Sequence, residues 1–305
     1  MKNIPNTNQY IQIFNSLFQM NLGHAKIVDI IAGPRVFNTV VKLGSGAKIS
    51  SLTKTANAAG VLCRPMKNSA NLVFEFGYDD AKPITLKTLL KNDVRKGAKA
   101  TLPVILGVDT FGVPQIVDLT KLPHLLVSGR TGSGKTMFLE SITKTLANCK
   151  FTVFDPKGVD FKSQKNINVI TDATEAFNEL DQIIADMDKK YASKEKNIKQ
   201  YHIIIFDEFA DFVALDRKRF ENTILALAQK GRKCGIHLIM ATQRPDAIIN
   251  TLRANLPVRL VFQTRSKADS VKALGEPGAE LLLGWADALY SDAGRAPVRI
   301  HTPIM

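Results

Sequence analysis

The chain has 305 residues, 45% hydrophobic and 23% charged, which is enough for one large domain or two ordinary ones and too apolar for a disordered chain. Three widely spaced cysteines (Cys63, Cys149, Cys234) and five scattered histidines argue against a disulfide framework and against a Cys- or His-based metal site. The 41 Lys and Arg against 28 Asp and Glu leave +13, and residues 1–100 alone hold 14 basic against 5 acidic residues, so a polyanionic partner is favoured, nucleic acid before membrane, with solubility charge as the plainer account.

No apolar run reaches the length of a transmembrane helix, and MKNIPNTNQYIQIF has no signal-peptide core, so a cytoplasmic location is expected. Ile11, Phe14, Phe18 and Leu22 recur at helical spacing and predict an amphipathic helix over 8–22. VFNTVVKL (36–43) reads as a strand, Gly44-Ser45-Gly46 as a turn, SSLTKTANAAGVL (50–62) as a helix opened by a serine cap, and NLVFEFG (71–77) as a strand. These elements predict a small α+β domain. The polar, basic stretch 78–100 is the expected connection, so residues 1–98 are assigned to the small domain with its linker and 99–305 to a second domain.

From about residue 101 the pattern changes. Short continuous apolar runs alternate with helical patterns: HLLVSG then 135–147, FTVFD then 174–191, IIIFD then 218–230, GIHLIMAT then 246–255, VRLVFQT then 267–274. Strands buried on both faces read this way, so an α/β domain with a mainly parallel sheet is predicted. In the 174–191 helix, Asp172 and Glu175 resemble a capping box, and Phe177, Leu180, Ile184, Met187 and Tyr191 make the apolar stripe.

Gly129-Arg130-Thr131-Gly132-Ser133-Gly134-Lys135-Thr136 fits GxxxxGK[ST] at every position, after a strand and at the start of a helix. Its glycines let backbone N–H groups turn inward around phosphate oxygens, and the helix N-terminus adds partial positive charge. Lys135 is expected to reach the β- and γ-phosphates of ATP, and Thr136 to ligate Mg²⁺. Ile203-Ile204-Ile205-Phe206 ends in Asp207 and Glu208, two carboxylates at the strand edge where open α/β sheets bind ligands. Asp207 is expected to hold Mg²⁺, and Glu208 to polarise the attacking water, a role that hydrolysis needs and a simple binding switch does not. Ala241-Thr242-Gln243-Arg244-Pro245 follows a third buried strand, where Gln243 can sense the terminal phosphate or orient water.

GRTGSGKT, IIIFDEFADF, LAQKGRKCGIHLIMATQRP, RANLPVRLVFQTRSKADS and LLLGWADALYSDAGRAPVRIH closely resemble the motor domain of FtsK/SpoIIIE-type DNA translocases. Upstream, GPRVFNTVVKLGSGAKISSLTKTANAAGVL is similar to a diverged form of that family's small α domain. The resemblance implies a RecA-like P-loop ATPase that forms a hexameric ring, threads double-stranded DNA and binds ATP between subunits. It implies that Arg232, after the LAQK helix, and Lys267, in the RSK segment, act on the neighbouring subunit's ATP; without it, either reads as a surface cation. For DNA it points to channel loops, here Arg244, Thr251 and Arg253, with the basic stretch Lys189–Lys196 as the other candidate or a solvated helix end. No membrane helix and no winged-helix segment match, so a motor core is expected. Phe154-Asp155-Pro156-Lys157-Gly158 is compatible with conjugative coupling ATPases as well, which keeps transport of single-stranded DNA or a protein–DNA substrate as the alternative.

Overall fold

The computed structural model describes residues 26–43, 52–53, 56, 61–65, 71–77, 82–91, 100–162, 165–193, 198–247, 250–292 and 295–305. The first sheet is antiparallel, in the order β1-β2-β4-β3: β1 (Lys26–Ala32), β2 (Val36–Lys42), β3 (Leu62–Pro65) and β4 (Asn71–Gly77). Its core gathers Phe37, Val41, Leu52, Ala56, Cys63, Leu72, Phe74 and Phe76, with the Phe37 and Phe76 rings stacked at 5.0 Å. The predicted strands 36–43 and 71–77 are β2 and β4. The predicted helix 8–22 and turn 44–46 lie outside the described residues. Leu52, Thr53 and Ala56 are helical, yet the helix predicted to 62 stops short. Leu62 opens β3 and pairs with Glu75, because the sheet offers it a buried partner strand.

The stretch 78–100, read as a connection, carries structure. Its β5 (Ile84–Thr85) pairs in parallel with Pro303–Ile304, and α1 (Leu86–Lys91) buries Leu86 and Leu89. Leu89 packs with Ile105 and Val108.

Among the described residues the larger sheet has ten strands. In chain order its region runs β6 (Pro103–Asp109), β7 (Pro114–Asp118), β8 (His124–Ser128), α2 (Lys135–Thr145), β9 (Lys150–Phe154), β10 (Ile167–Ile170), α3 (Ala173–Ser193), β11 (His202–Phe206), α4 (Phe209–Leu215), α5 (Arg217–Lys230), β12 (Ile236–Thr242), α6 (Asn250–Asn255), β13 (Val258–Phe262), α7 (Lys267–Leu274), β14 (Asp287–Asp292), β15 (Val298–His301) and the short β16 (Pro303–Ile304) of the preceding pair. The spatial order is β10-β9-β11-β12-β8-β13-β14-β15-β6-β7. From β10 to β13 every pair is parallel, as the continuous apolar runs predict; from β13 to β7 every pair is antiparallel. The sheet is therefore mixed, and its antiparallel flank is an addition to the predicted parallel core. Apolar layers cover both faces, one around Phe206, Phe209, Phe220 and Leu238, the other around Phe138, Phe151, Ile205 and Phe262. None of the helices among the described residues is long and apolar enough to cross a membrane.

In α3 the Asp172 carboxylate accepts from Glu175 N at 2.9 Å, which is the N-cap half of the predicted box. Phe177, Leu180 and Met187 are buried as expected, while Ile183 takes the fully buried position given to Ile184. Tyr191 lies past the core layer and is exposed, its ring 5.9 Å from the Lys230 ammonium and 5.5 Å from that of Lys233.

A buried ion network fastens the small sheet to the antiparallel flank. Arg299 of β15 donates to Asp287 of β14 at 2.7 Å and to Glu75 of β4 at 3.2 Å, with side-chain exposures of 2%, 0% and 5%. Burial alone would raise the Asp287 carboxyl; the Arg299 guanidinium overrides it and holds Asp287 well below the usual carboxylate range. Arg299→Met should cost about 3–5 kcal/mol in denaturant unfolding, since it strands two buried carboxylates. A loss below about 1 kcal/mol would mean that water reaches the pair.

Candidate active site

The parallel half of the sheet brings the C-terminal ends of β8, β11 and β12 to one edge: Thr242 pairs with Ser128, and Phe206 with Met240. The glycine-rich motif 129–136 leaves β8 there and enters α2 at Lys135. Gly129 (φ 153°) and Gly134 (φ 109°) hold conformations that side chains resist, and space forbids a Cβ as well. A Cβ at Gly129 would lie 2.7 Å from Phe262 Cβ, and one at Gly134 would lie 2.8 Å from Ala286 N. Gly134 is the N-cap of α2 and supplies no side-chain acceptor, so the first N–H groups of the helix face the loop unpaired by a cap.

Lys135 is almost fully buried, and its ammonium donates to the carbonyls of Gly129 at 2.7 Å and Arg130 at 3.0 Å. Burial pulls it down to about 8, with Glu208 and Asp207 acting the other way. Ser133 Oγ donates to Arg130 O at 2.7 Å, and Arg130 N donates to Gln263 O at 2.8 Å, so the loop is braced against β13. Gly132 (φ 73°) sits at the open tip.

The carboxylates close the other side. Thr136 Oγ1 donates to Asp207 Oδ1 at 3.3 Å. Carboxylate oxygens of Asp155, Asp160 and Asp207 all lie within 4.8 Å of one another. Burial, then the nearby Asp155, pushes Asp207 up to about 6. Crowded hard oxygen donors next to a threonine hydroxyl fit Mg²⁺, whose charge would relieve their repulsion. Glu208 is held on both oxygens: Oε1 accepts from Thr242 Oγ1 at 2.5 Å and from Ala210 N at 3.4 Å, Oε2 from Gln243 N at 2.8 Å. The Gln243 side chain accepts from Thr131 Oγ1 at 2.5 Å, tying the β12 end to the loop. Asp155, Asp160 and Thr242 were not singled out as site residues from sequence. Asp155 carries the same signal as Asp207, a carboxylate ending a buried strand; Asp160 and Thr242 carry none.

The remaining candidates are placed apart. Arg232 lies beyond the start of β12, the sheet edge opposite Thr242, and donates to Thr120 O at 2.9 Å. Seven residues of strand, roughly 23 Å, separate it from its own loop. Lys267 is exposed at the first position of α7, after β13, at the same edge as the loop. Arg244 N donates to Thr242 Oγ1 at 3.0 Å, while its guanidinium pairs with Asp211 at 3.2 Å, both partly exposed. Thr251 and Arg253 are on α6; Arg253 donates to the Lys272 carbonyl. Lys189 and Lys190 line a cavity of about 890 Å³ with Lys150, Lys199, Tyr201 and Lys233 at the edge away from the loop; Lys194 and Lys196 lie outside the described residues.

The FtsK/SpoIIIE family pattern matches residues 85–199 and 190–247, together more than half of the chain. The DNA translocase FtsK of Haemophilus influenzae is 33% identical over an alignment covering 92% of this chain and 65% of that protein. The DNA translocase SftA of Bacillus subtilis is 30% identical over 91% of this chain and 33% of its own length. The chain thus spans between about a third and two thirds of the curated relatives it matches. Among solved structures, the pCW3 conjugation coupling protein TcpA with ATPγS superposes with a TM-score of 0.65 at 22% identity, covering 97% of this chain and 94% of TcpA. The cytoplasmic domain of the type VII secretion ATPase EccC of Thermomonospora curvata gives a TM-score of 0.61 at 21% identity, over 73% of this chain and 32% of that one. At these identities the likeness establishes the fold, a RecA-like P-loop ATPase fold.

Proposed function

The chain belongs to the FtsK/SpoIIIE family, and on that footing we propose that it is an ATPase motor, residues 99–305 forming the motor domain and 1–98 a small domain docked on its flank. It moves cytoplasmic double-stranded DNA by hydrolysing ATP at the interfaces of a ring of identical subunits. The observation that carries this reading is Glu208 held at the C-terminal edge of the sheet by the end of β12, which is itself tied to the 129–136 loop through Gln243 and Thr131. A phosphate loop with a bare strand end would suit a binding switch; a carboxylate beside it suits hydrolysis.

The loop N–H groups and Lys135 grip the β- and γ-phosphates, with Gly129, Arg130, Thr131, Gly132, Ser133 and Gly134 forming the cradle. Thr136 and Asp207, with Asp155 and Asp160 behind, would hold Mg²⁺, which neutralises phosphate charge when bound. Glu208 takes a proton from water as its oxygen attacks the γ-phosphorus, and the bond to the β–γ bridging oxygen breaks to give ADP and phosphate. Gln243, bonded to the loop through Thr131, registers the terminal phosphate. Arg232 is too far from its own loop to assist, so it serves a neighbour's, as Lys267 does in this reading, and hydrolysis then depends on assembly. Arg244, Thr251 and Arg253 are the DNA contacts; Arg244 leaves Asp211 to reach a phosphate.

ATP turnover measured without DNA, with single strands and with duplex tests this reading. Duplex should stimulate several-fold more than single strands at equal nucleotide concentration. Stimulation by single strands alone would favour a coupling ATPase, the reading supported by Asp155-Pro156-Lys157-Gly158 and by the near-complete overlap with TcpA. No turnover above background under any condition would leave a nucleotide-gated DNA scaffold.

A further inference from the structure

Trp285 is the chain's single tryptophan, and it is 56% exposed. It and Ala286 both sit in the left-handed region, at φ 36° and 65°, which residues bearing a Cβ resist. Core packing does not explain that conformation, since the indole is left largely in water. The strain is imposed by hydrogen bonds that fix the segment against the loop. Ala286 N donates to Ser133 O at 2.9 Å, and Thr302 N donates to Ala286 O at 2.8 Å. Arg35, from the small sheet, donates to Trp285 O at 2.6 Å. One residue upstream, Gly284 faces Gln263 and the Arg130 guanidinium. The tryptophan backbone is thus pinned beside residues 130–134 while the ring stays exposed.

The loop has two flanks, and they differ. On the β12 flank stand Glu208, Gln243 and Thr131, where the terminal phosphate is attacked. On the β13–β14 flank stands the segment 283–286. An extended nucleoside triphosphate whose last phosphate lies at Glu208 sends its sugar and base the other way. We infer that Trp285 is the stacking platform for the base of the nucleotide held by loop 129–136, an inference that rests on the ATPase reading above. A bare indole face rewards overlap area, so it favours purines over pyrimidines, and by itself it does not separate adenine from guanine.

The test uses two probes, a non-hydrolysable ATP analogue and magnesium tripolyphosphate, which shares the phosphates and lacks the base. Tryptophan emission comes from Trp285 alone, so the analogue should change it saturably and tripolyphosphate should not. Trp285→Ala should weaken analogue binding about tenfold, leave tripolyphosphate binding unchanged and erase the purine preference, with Trp285→Phe retaining most of the affinity. Analogue affinity unchanged in Trp285→Ala overturns the inference, including the case in which only subunit assembly suffers. So does an equal loss for both probes, which would mean a damaged loop. If the native chain binds neither probe, the phosphate-loop reading itself fails; if it binds both and Trp285→Ala alters neither, only the base platform fails.

Discussion

Glu208→Gln should still bind ATP and should hydrolyse it about 10³-fold more slowly, within the range of a lost general base. The hydrogen-bond geometry explains why folding survives. An amide can keep its oxygen toward Gln243 N and turn its NH₂ toward Thr242 Oγ1, which has lone pairs to accept it. What the amide cannot do is take a proton from water. In the arrangement seen, three donors compete for the Glu208 carboxylate, so the group is positioned first and freed for water only when those bonds yield. Rapid-quench turnover alongside equilibrium binding of labelled ATP separates the two effects. Turnover within about threefold of the native rate would remove Glu208 from the chemistry and with it the main support for hydrolysis.

Lys135→Ala carries an effect of similar size with a different signature. Loss of the ammonium should abolish at least about 99.9% of turnover, since electrostatic stabilisation of the transferred phosphoryl group is commonly the largest catalytic contribution. Stability should move little, or rise. The folded-state lysine titrates near 8 against an ordinary 10.5, so burial makes the charged form costly at every pH below about 8, and the cost fades only as pH climbs to the ordinary value. Relieving it is worth up to roughly 3 kcal/mol, offset by the lost bonds to the Gly129 and Arg130 carbonyls. Thermal unfolding at neutral pH checks the sign; a clear fall in stability would mean that the lysine chiefly braces the loop. Mixing Lys135→Ala with Arg232→Ala subunits should restore part of the activity, because an intact loop then meets an intact arginine across an interface. No recovery in the mixture would leave Arg232 without a role in trans.

Much of the site was legible because its groups are consecutive. A strand, a glycine loop and a helix in one stretch of sequence report their own geometry, and GRTGSGKT needs no tertiary knowledge to be placed between β8 and α2. The strand ending in Asp207-Glu208 was legible by the same rule, since backbone direction alone sends strand-end side chains to the ligand edge. Asp155 obeys that rule too, yet a lone carboxylate at a strand end is common; its meaning comes from β9 and β11 lying side by side. Thr242 looked like a strand terminus, and only the placement of β12 between β8 and β11 sets its hydroxyl on Glu208. The short strand and helix in 78–100 are hidden for another reason: polar composition masks Leu86 and Leu89, both buried, of which Leu89 packs with Ile105 and Val108. Trp285 carries no signal in a residue string, since exposure and backbone strain are invisible there.

By itself, then, the amino-acid order determined the parallel α/β core, the glycine loop 129–136 between β8 and α2 and the carboxylates ending β11, because periodicity and local turn chemistry act over a few residues. The antiparallel flank, the cluster of Asp155, Asp160 and Asp207, the tether on Glu208 and the Arg299 network were decided by tertiary structure alone. Glu75 and Arg299 are 224 positions apart, and their pairing follows only once desolvation at a buried junction makes each carboxylate depend on one guanidinium.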